Sequence, residues 1–166
     1  MQEICHVYEA ENAAMTGSMN TIDETTASGR KVVGNFAQDT DTLTFTVDIP
    51  ADGTYDLIIT SKGYGGEKTN NIIIDGNFVG TFNSTAEVYS DALMRSVLLT
   101  SGTHSITITK SWSWIAVDCL EIETTDPIPD SVFEVSDELI NPNANIETKI
   151  LFSYLCDTDG EQVLSG

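Results

Sequence analysis

The segment 41–47 alternates apolar side chains with threonines, and this alternation is the clearest period of two in the sequence. Because successive side chains of an extended chain point to opposite faces, the segment is predicted to be a half-buried β-strand. Similar short runs follow one another, separated by turn signals such as Asp75-Gly76. No helical spacing is evident before Thr124. The sequence therefore predicts an all-β fold, an antiparallel β-sandwich of the jelly-roll type.

The predicted strands are 7–11, 31–33, 41–47, 54–60, 70–74, 78–82, 95–99, 104–109 and a closing strand that runs to Ile122. The polar segment 12–30 is predicted to be loop with short strands, and 83–93 to be a polar loop.

The charge of the chain restricts its partners. Seven Lys and Arg face 26 Asp and Glu, which gives a formal net charge of −19. Nucleic acids and anionic membranes require a basic face, so neither is expected as a partner. No apolar run is long enough to span a bilayer, and the first residues do not resemble a signal peptide. The composition suits a secreted, extracellular protein that meets calcium and neutral ligands.

Three cysteines, Cys5, Cys119 and Cys156, lack any C-x-x-C spacing, which argues against a zinc site or a redox dithiol. Cys5 precedes the first predicted strand and Cys119 lies in the last. If these strands are neighbours, a disulfide between them is geometrically allowed. The alternative is that both are free, buried thiols.

Carboxylates mark the first and the last predicted strands. Glu9 and Glu11 are two residues apart, so in an extended strand both point to one face. Asp118 interrupts the closing strand, where Asp is depleted and is costly to bury unless it is paired or holds a metal. Three convergent carboxylates favour a structural calcium ion. The alternative is solvated charge at the edge of the sandwich.

Aromatic and amide side chains are the candidate ligand-binding residues. Both tryptophans, Trp112 and Trp114, lie among serines just before the closing strand, which favours an exposed loop, although tryptophan is usually at least partly buried. Tyr64, between two glycines, suits a second aromatic wall. Asn70 and Asn71 carry the donors and acceptors that sugar hydroxyls require, but alternation allows only one of them to serve. Asn71 is the preferred candidate.

Motifs of catalysis are missing from the sequence. It contains neither G-x-S-x-G nor H-E-x-x-H, and Lys68 does not follow its glycines in the manner of a phosphate-binding loop. His6 and His104 have no nucleophile nearby in the sequence. The chain is therefore predicted to be non-catalytic.

Beyond the sandwich, predicted for residues 1–123, segment 124–140 contains two of the four prolines and is predicted to be a linker. Apolar residues then recur at helical spacing, namely Ile146, Ile150, Leu151, Tyr154 and Leu155. One amphipathic helix has little to pack against by itself. Residues 141–166 are therefore interpreted as the N-terminal fragment of a further, catalytic domain.

Several motifs taken together resemble family 35 carbohydrate-binding modules, relatives of family 6. They are Tyr8-Glu-Ala-Glu11, Gly29-Arg-Lys-Val-Val-Gly34, Gly53-Thr-Tyr-Asp-Leu57, Ile74-Asp-Gly76 and Trp112-Ser-Trp114 with Asp118. This resemblance, over about residues 5–123, implies a β-sandwich with a structural calcium. Its implied ligands are Glu9, Glu11, Asp118 and the backbone carbonyl of about Arg30.

The C-terminal residues from Asn141 to Gly166 are similar to the entry into family 26 glycoside hydrolases, a family dominated by β-mannanases. They contain none of the catalytic carboxylates that such an enzyme needs. The resemblances together imply non-catalytic binding of mannan or galactomannan, which targets a covalently attached endo-β-1,4-mannanase. Calcium-dependent binding of uronic acids and a structural or adhesive sandwich without sugar affinity remain the alternatives.

Overall fold

The computed structural model describes residues 5–112 and 114–125, and within them every regular element is a strand or a short 3-10 turn. The strands are β1 (Cys5–Glu9), β2 (Ala14–Thr16), β3 (Asn20–Asp23), β4 (Lys31–Gly34), β5 (Thr42–Ile49), β6 (Gly53–Gly63), β7 (Lys68–Ile74), β8 (Asn77–Ser84), β9 (Ser90–Leu99), β10 (Gly102–Lys110) and β11 (Ile115–Thr124). The 3-10 turns are Ala10–Asn12 and Ser28–Arg30. The predicted all-β fold is confirmed.

Two antiparallel sheets form the sandwich. The six-stranded sheet has the order β3-β4-β11-β6-β9, with β1 also paired to β11, and the five-stranded sheet has the order β2-β5-β10-β7-β8. β11 pairs with β6 along one edge and with β1 and β4 along the other. The first and last predicted strands are therefore neighbours.

The core fills the space between the two sheets. Leu43, Phe45 and Val47 of β5 point inward and are at most 2% exposed. They belong to one apolar cluster with Leu57 of β6 and Leu120 of β11. Each such side chain contributes about 1.5–3 kcal/mol by leaving water. The threonines that alternate with them in β5 face outward, as the period of two predicts.

Most predicted strand boundaries differ from the observed ones by one to five residues, and tertiary contacts explain two of these differences. β1 ends at Glu9 rather than Glu11, because the chain turns at Ala10 and buries that side chain completely in the core. β9 begins at Ser90 rather than at residue 95, because the polar residues Ser90 and Asp91 pair with β6.

The expectation that Cys5 and Cys119 could form a disulfide is wrong. β1 and β11 are neighbours, but their register places Cys5 opposite Glu123 and Cys119 opposite Glu9. Four strand positions separate the two cysteines, about 13 Å along the ladder, whereas a disulfide requires Cα atoms within about 7 Å. Cys119 is a free, buried thiol whose pKa burial raises to about 12.

The predicted linker and the C-terminal helix lie outside the described residues from 126 onward, so the predicted domain boundaries stay predictions. β11 extends one residue into the segment predicted as linker. Among the described residues, no helix has the length and apolar character that crossing a membrane requires.

His104 links two turns at one end of the sandwich. Its Nδ1 lies 2.6 Å from Oδ2 of Asp75 and its Nε2 lies 2.8 Å from the carbonyl oxygen of Thr100. Both partners only accept hydrogen bonds, so both ring nitrogens must donate and the ring is the imidazolium cation. The Asp75 carboxylate raises the pKa of His104, and this hydrogen bond lowers the pKa of Asp75. A ring bonded in this way is no general base for a nucleophile.

The stabilisation from this pair requires His104 protonated and Asp75 ionised. Because the pKa of His104 is raised on folding, its contribution is complete below about 6.5 and is lost as the pH rises through the folded pKa. Because the pKa of Asp75 is lowered, its contribution is complete above about 3.9 and is lost on acidification. We expect His104→Gln to cost about 1 kcal/mol at pH 6 and less at pH 9, measured by urea unfolding followed by circular dichroism.

The exposed His6 supplies the matched control, His6→Gln, which removes a histidine with no ion pair among the described residues and should cost little stability at either pH. Equal losses of stability for His104→Gln at pH 6 and pH 9 would contradict the charged pair.

Candidate functional site

The three carboxylates predicted to hold a metal come from three different elements. Glu9 ends β1, Glu11 lies in the following 3-10 turn, and Asp118 lies in β11. The pairing of β11 with β6 shifts register between Val117 and Cys119. Such a bulge changes the direction of a side chain within a strand. Asp118 is consequently only 6% exposed, which is rare for an ionisable side chain.

The turn Ser28–Arg30 lies against these carboxylates. The hydroxyl of Ser28 donates to Oε1 of Glu9 at 2.6 Å, and the backbone N–H of Ser28 donates to Oδ2 of Asp118 at 3.1 Å. Gly29 has a φ of 59°. A Cβ at Gly29 would collide with the carboxylate of Glu11 and lie 3.4 Å from Cδ of Glu9. Only glycine fits this turn, and each of the three carboxylates lies against it.

Asp118 differs from the other buried aspartate, Asp41, in its hydrogen bonds. Asp41 accepts four bonds of 2.7–2.8 Å, from the hydroxyl and N–H of Ser18 and from the N–H groups of Ala37 and Gln38. Burial alone would raise the pKa of Asp41, but these donors outweigh it and the pKa is lowered. Burial raises the pKa of Asp118 to about 6, with further contributions from neighbouring carboxylates.

The arrangement leaves oxygen atoms that need a cation. Oδ1 of Asp118 and Oε2 of Glu11 are buried and have no hydrogen-bond partner. Buried carboxylates that repel one another, with lone pairs left over, are the oxygen donors that Ca²⁺ prefers. The carbonyl of Arg30 accepts the N–H of Glu24 at 3.0 Å, and a carbonyl oxygen has a second lone pair to offer. The residue types present therefore fit calcium, although the oxygens of the three carboxylates stand farther apart than the ligands of one ion and would have to draw together around it.

Both tryptophans lie outside the strands and on the surface. Trp112 is 68% exposed and Trp114 is 59% exposed, while β11 begins only at Ile115. The alternative that one of these rings belongs to the core is therefore wrong. Large exposed apolar rings are available to stack on a ligand.

The tryptophan loop is the segment between β10 and β11 that carries Trp112 and Trp114. Hydrogen bonds to three other segments fix its backbone. The N–H of Trp112 donates to the carbonyl of Thr69, and the N–H of Trp114 donates to that of Phe36. The carbonyl of Trp114 accepts the N–H of Tyr64 at 2.9 Å. Trp114 has a φ of 66°, a left-handed conformation that costs a bulky residue about 1–3 kcal/mol. Such strain, held by surrounding contacts, occurs mainly at functional sites.

Tyr64 is half-buried beside Lys62. The ammonium nitrogen of Lys62 lies 5.0 Å from the centre of the Tyr64 ring and 4.6 Å from that of Tyr89. The ammonium of Lys68 lies 5.8 Å from the ring of Trp112. Sequence reasoning missed Lys62 and Tyr89. The spacing of Lys62 and Tyr64 predicts a shared face, but Tyr89 reaches them only through the pairing of β6 with β9.

The two asparagines point to opposite faces of β7, as predicted. Asn70 is fully buried, and neither atom of its amide has a hydrogen-bond partner. Asn71 is half-buried and donates to the hydroxyl of Thr109 and the carbonyl of Lys110, both at 3.2 Å. Its Nδ2 protons are therefore engaged within the sheet, and its carbonyl oxygen is the atom left to meet a ligand.

The described residues also form a cleft of about 500 Å³. It lies between the edge strands β8 and β9 and includes Thr81, Asn83, Leu93 and Met94 in its lining. None of the predicted site residues contributes to it.

Comparisons with known proteins identify the family of the chain. The model of the carbohydrate binding module (family 35) matches residues 6–125. The chain is 32% identical to mannan endo-1,4-beta-mannosidase B of Piromyces sp and 28% identical to mannan endo-1,4-beta-mannosidase of Thermothelomyces thermophilus, each over 96% of this chain. It spans only 28% and 33% of the lengths of these relatives.

Among solved structures, the Podospora anserina GH26-CBM35 beta-(1,4)-mannanase matches 76% of this chain and 29% of its own, with a TM-score of 0.71 and 26% identity. A family 35 carbohydrate binding module from Clostridium thermocellum shares the fold, with a TM-score of 0.63 at 22% identity over 70% of this chain and 97% of its own. The chain belongs to the family 35 carbohydrate-binding modules.

Proposed function

We propose that this module binds mannan or galactomannan at the end of the sandwich that carries the tryptophan loop, and that it delivers an attached endo-β-1,4-mannanase to this substrate outside the cell. The observation that carries the proposal is the pair of exposed tryptophans on a strained loop that is hydrogen-bonded on three sides. The sugar is taken from the relatives, several of which are named as mannan-cleaving enzymes.

The chemistry of the loop end suits a neutral sugar chain. Sugars present C–H faces that pack on aromatic rings, and Trp112, Trp114 and Tyr64 offer such rings at one end of the molecule. A loop already fixed in its conformation loses little entropy when the ligand binds. Asn71 contributes its side-chain carbonyl oxygen from the outward face of β7. The net charge of −19 favours neutral over anionic glycans.

Calcium has a structural role in this proposal. Glu9, Glu11 and Asp118 hold the ion together with the carbonyl of Arg30. The ion would compensate the repulsion among the carboxylates and tie β1, the Ser28–Arg30 turn and β11 together. It supplies no catalytic chemistry.

A second candidate function is calcium-dependent binding of uronic acids. It is favoured by the three lysines near the loop end, Lys62, Lys68 and Lys110, in a chain with few cations. The ammonium of Lys110 already contacts the carbonyl oxygen of Ala37 and the carboxylate of Asp39.

Affinity electrophoresis on galactomannan and glucuronoxylan, each with and without chelator, separates the two functions. If neither polysaccharide retains the module, the result supports a purely adhesive sandwich.

Removal of either exposed tryptophan should abolish binding without unfolding the module. We expect Trp112→Ala and Trp114→Gly to lose retention on galactomannan, because each ring contributes about 1.5–3 kcal/mol of contact. Glycine at position 114 also relieves the left-handed strain, so stability should stay within about 1 kcal/mol of the parent. Affinity electrophoresis and calorimetric melting measure the two effects.

The control is Leu98→Ala, which removes an exposed apolar side chain of β9. Leu98 is paired with Thr54, at the end of β6 opposite to Gly63, which is paired with Ile115 beside Trp114. It should change neither binding nor melting. Sugar retention by both tryptophan variants would place the ligand elsewhere and overturn the proposed site.

Calcium should stabilise the module strongly. At a thousandfold excess over its dissociation constant, an ion bound only to the folded state adds about 4 kcal/mol. Asp118→Asn should remove this gain. In chelator at pH 7 the same variant should be as stable as the parent or up to about 2 kcal/mol more stable, because the raised pKa means that the ionised carboxylate destabilises the metal-free fold.

The matched control is Asp39→Asn at an almost fully exposed aspartate, which should keep the calcium dependence. Melting curves in calcium and in chelator, together with isothermal titration of Ca²⁺, provide the measurement. Identical curves for the parent in both solutions would remove calcium from the site.

A further inference from the structure

The outer face of the five-stranded sheet carries ordered rows of threonines. On β5 they are Thr42, Thr44 and Thr46, and on the adjacent β10 they are Thr103, Thr107 and Thr109. We call these six residues the threonine face. Only Asp48, at the end of β5, is charged among the outward positions of these two strands, and it accepts the hydroxyl of Thr103.

The other face of the sandwich has the opposite character. The six-stranded sheet carries charged side chains on its central strands and on β9, among them Asp56, Lys62, Asp91, Glu121 and Glu123. A strong strand propensity explains threonine on an exposed sheet, but it does not explain why a chain of net charge −19 keeps Asp, Glu and Lys off one face. Depletion of charge is the compositional mark of the centre of an interface.

Cross-strand hydrogen bonds hold these side chains in place. The hydroxyls of Thr44 and Thr107 lie 2.9 Å apart, and those of Thr16 and Thr42 lie 2.8 Å apart. Neighbouring strands repeat about every 4.8 Å, so the hydroxyls and methyls form a regular array. A hydroxyl that donates one bond still accepts others, which lets the array meet a second layer of hydroxyl groups.

We propose that the threonine face is a second contact surface of the module, which lies on the flat surface of an insoluble, uncharged β-mannan while the tryptophan loop takes a single chain. This inference rests on the proposed function. An uncharged solid displaces water from threonine at little cost, whereas carboxylates would have to be desolvated without partners. Once the loop is bound, contacts of the face are intramolecular, so even weak ones raise retention on a solid.

Charge placed on the threonine face tests the proposal. Thr46 is exposed, and Thr46→Glu, Thr46→Lys and the double variant Thr46→Lys/Thr107→Lys put hydrated charges of either sign on it. We expect the double variant to partition about tenfold less onto insoluble mannan, equivalent to roughly 1.4 kcal/mol. Affinity for a soluble mannohexaose should stay unchanged in all three variants, and the melting temperature should stay unchanged in the two single variants. The double variant also loses the Thr44–Thr107 hydrogen bond, so its melting temperature should fall slightly and its binding is measured well below that temperature. Both signs of charge should weaken retention, which separates contact from long-range repulsion.

The matched controls are Thr21→Glu and Thr21→Lys, on the exposed strand β3 of the other sheet, which should partition like the parent. Parent-like retention of all three threonine-face variants overturns the inference and leaves the proposed function standing. Equal losses for insoluble mannan and mannohexaose also overturn it, because the face would then belong to the single-chain site. If the parent chain binds neither ligand, the proposed function itself is wrong.

Discussion

Strand β11 is the constraint on which the rest of the structure depends, because it pairs with β1, β4 and β6 at once. Its residues are buried from Ile115 to Leu120, so it cannot move without the core. The bulge at Asp118 lies within this rigid strand and keeps the Asp118 carboxylate buried. Trp114 directly precedes the same strand and lies four residues before Asp118, so one fixed element carries both the tryptophan loop and a carboxylate of the candidate metal centre.

The alternation of apolar and polar residues was enough to predict the sandwich, since a period of two with frequent turns leaves few other folds. The boundaries at Glu11 and Ser90 could not be predicted, because they depend on the burial of Ala10 and on partners in β6 that are distant in sequence. Likewise, whether Cys119 can reach Cys5 depends on the register between β1 and β11. A shift that no local pattern reveals decides which residues face each other.

For the candidate site, residue chemistry predicted that Glu9 and Asp118 lie near each other, and the register places Glu9 opposite Cys119, next to Asp118. The sequence left open whether the tryptophans are core or surface, and the accessibility of their rings decides it. The position of the Lys62 ammonium near two tyrosine rings had no sufficient sequence signal, since Tyr89 directly precedes β9, which β7 and β8 separate from β6 in sequence. Contacts of this kind follow from strand pairing alone.

The placement of Trp112 and Trp114 has a spectroscopic consequence. They are the only two tryptophans in the protein, and both already stand in water in the native state. Indole emission will therefore change little when the core unfolds. Denaturation followed by tryptophan fluorescence would consequently overestimate the stability of the protein. The same emission should respond to a sugar that covers the rings and to quenching by the adjacent lysine. The two tryptophans are thus an intrinsic fluorescent reporter of ligand binding that is nearly insensitive to unfolding.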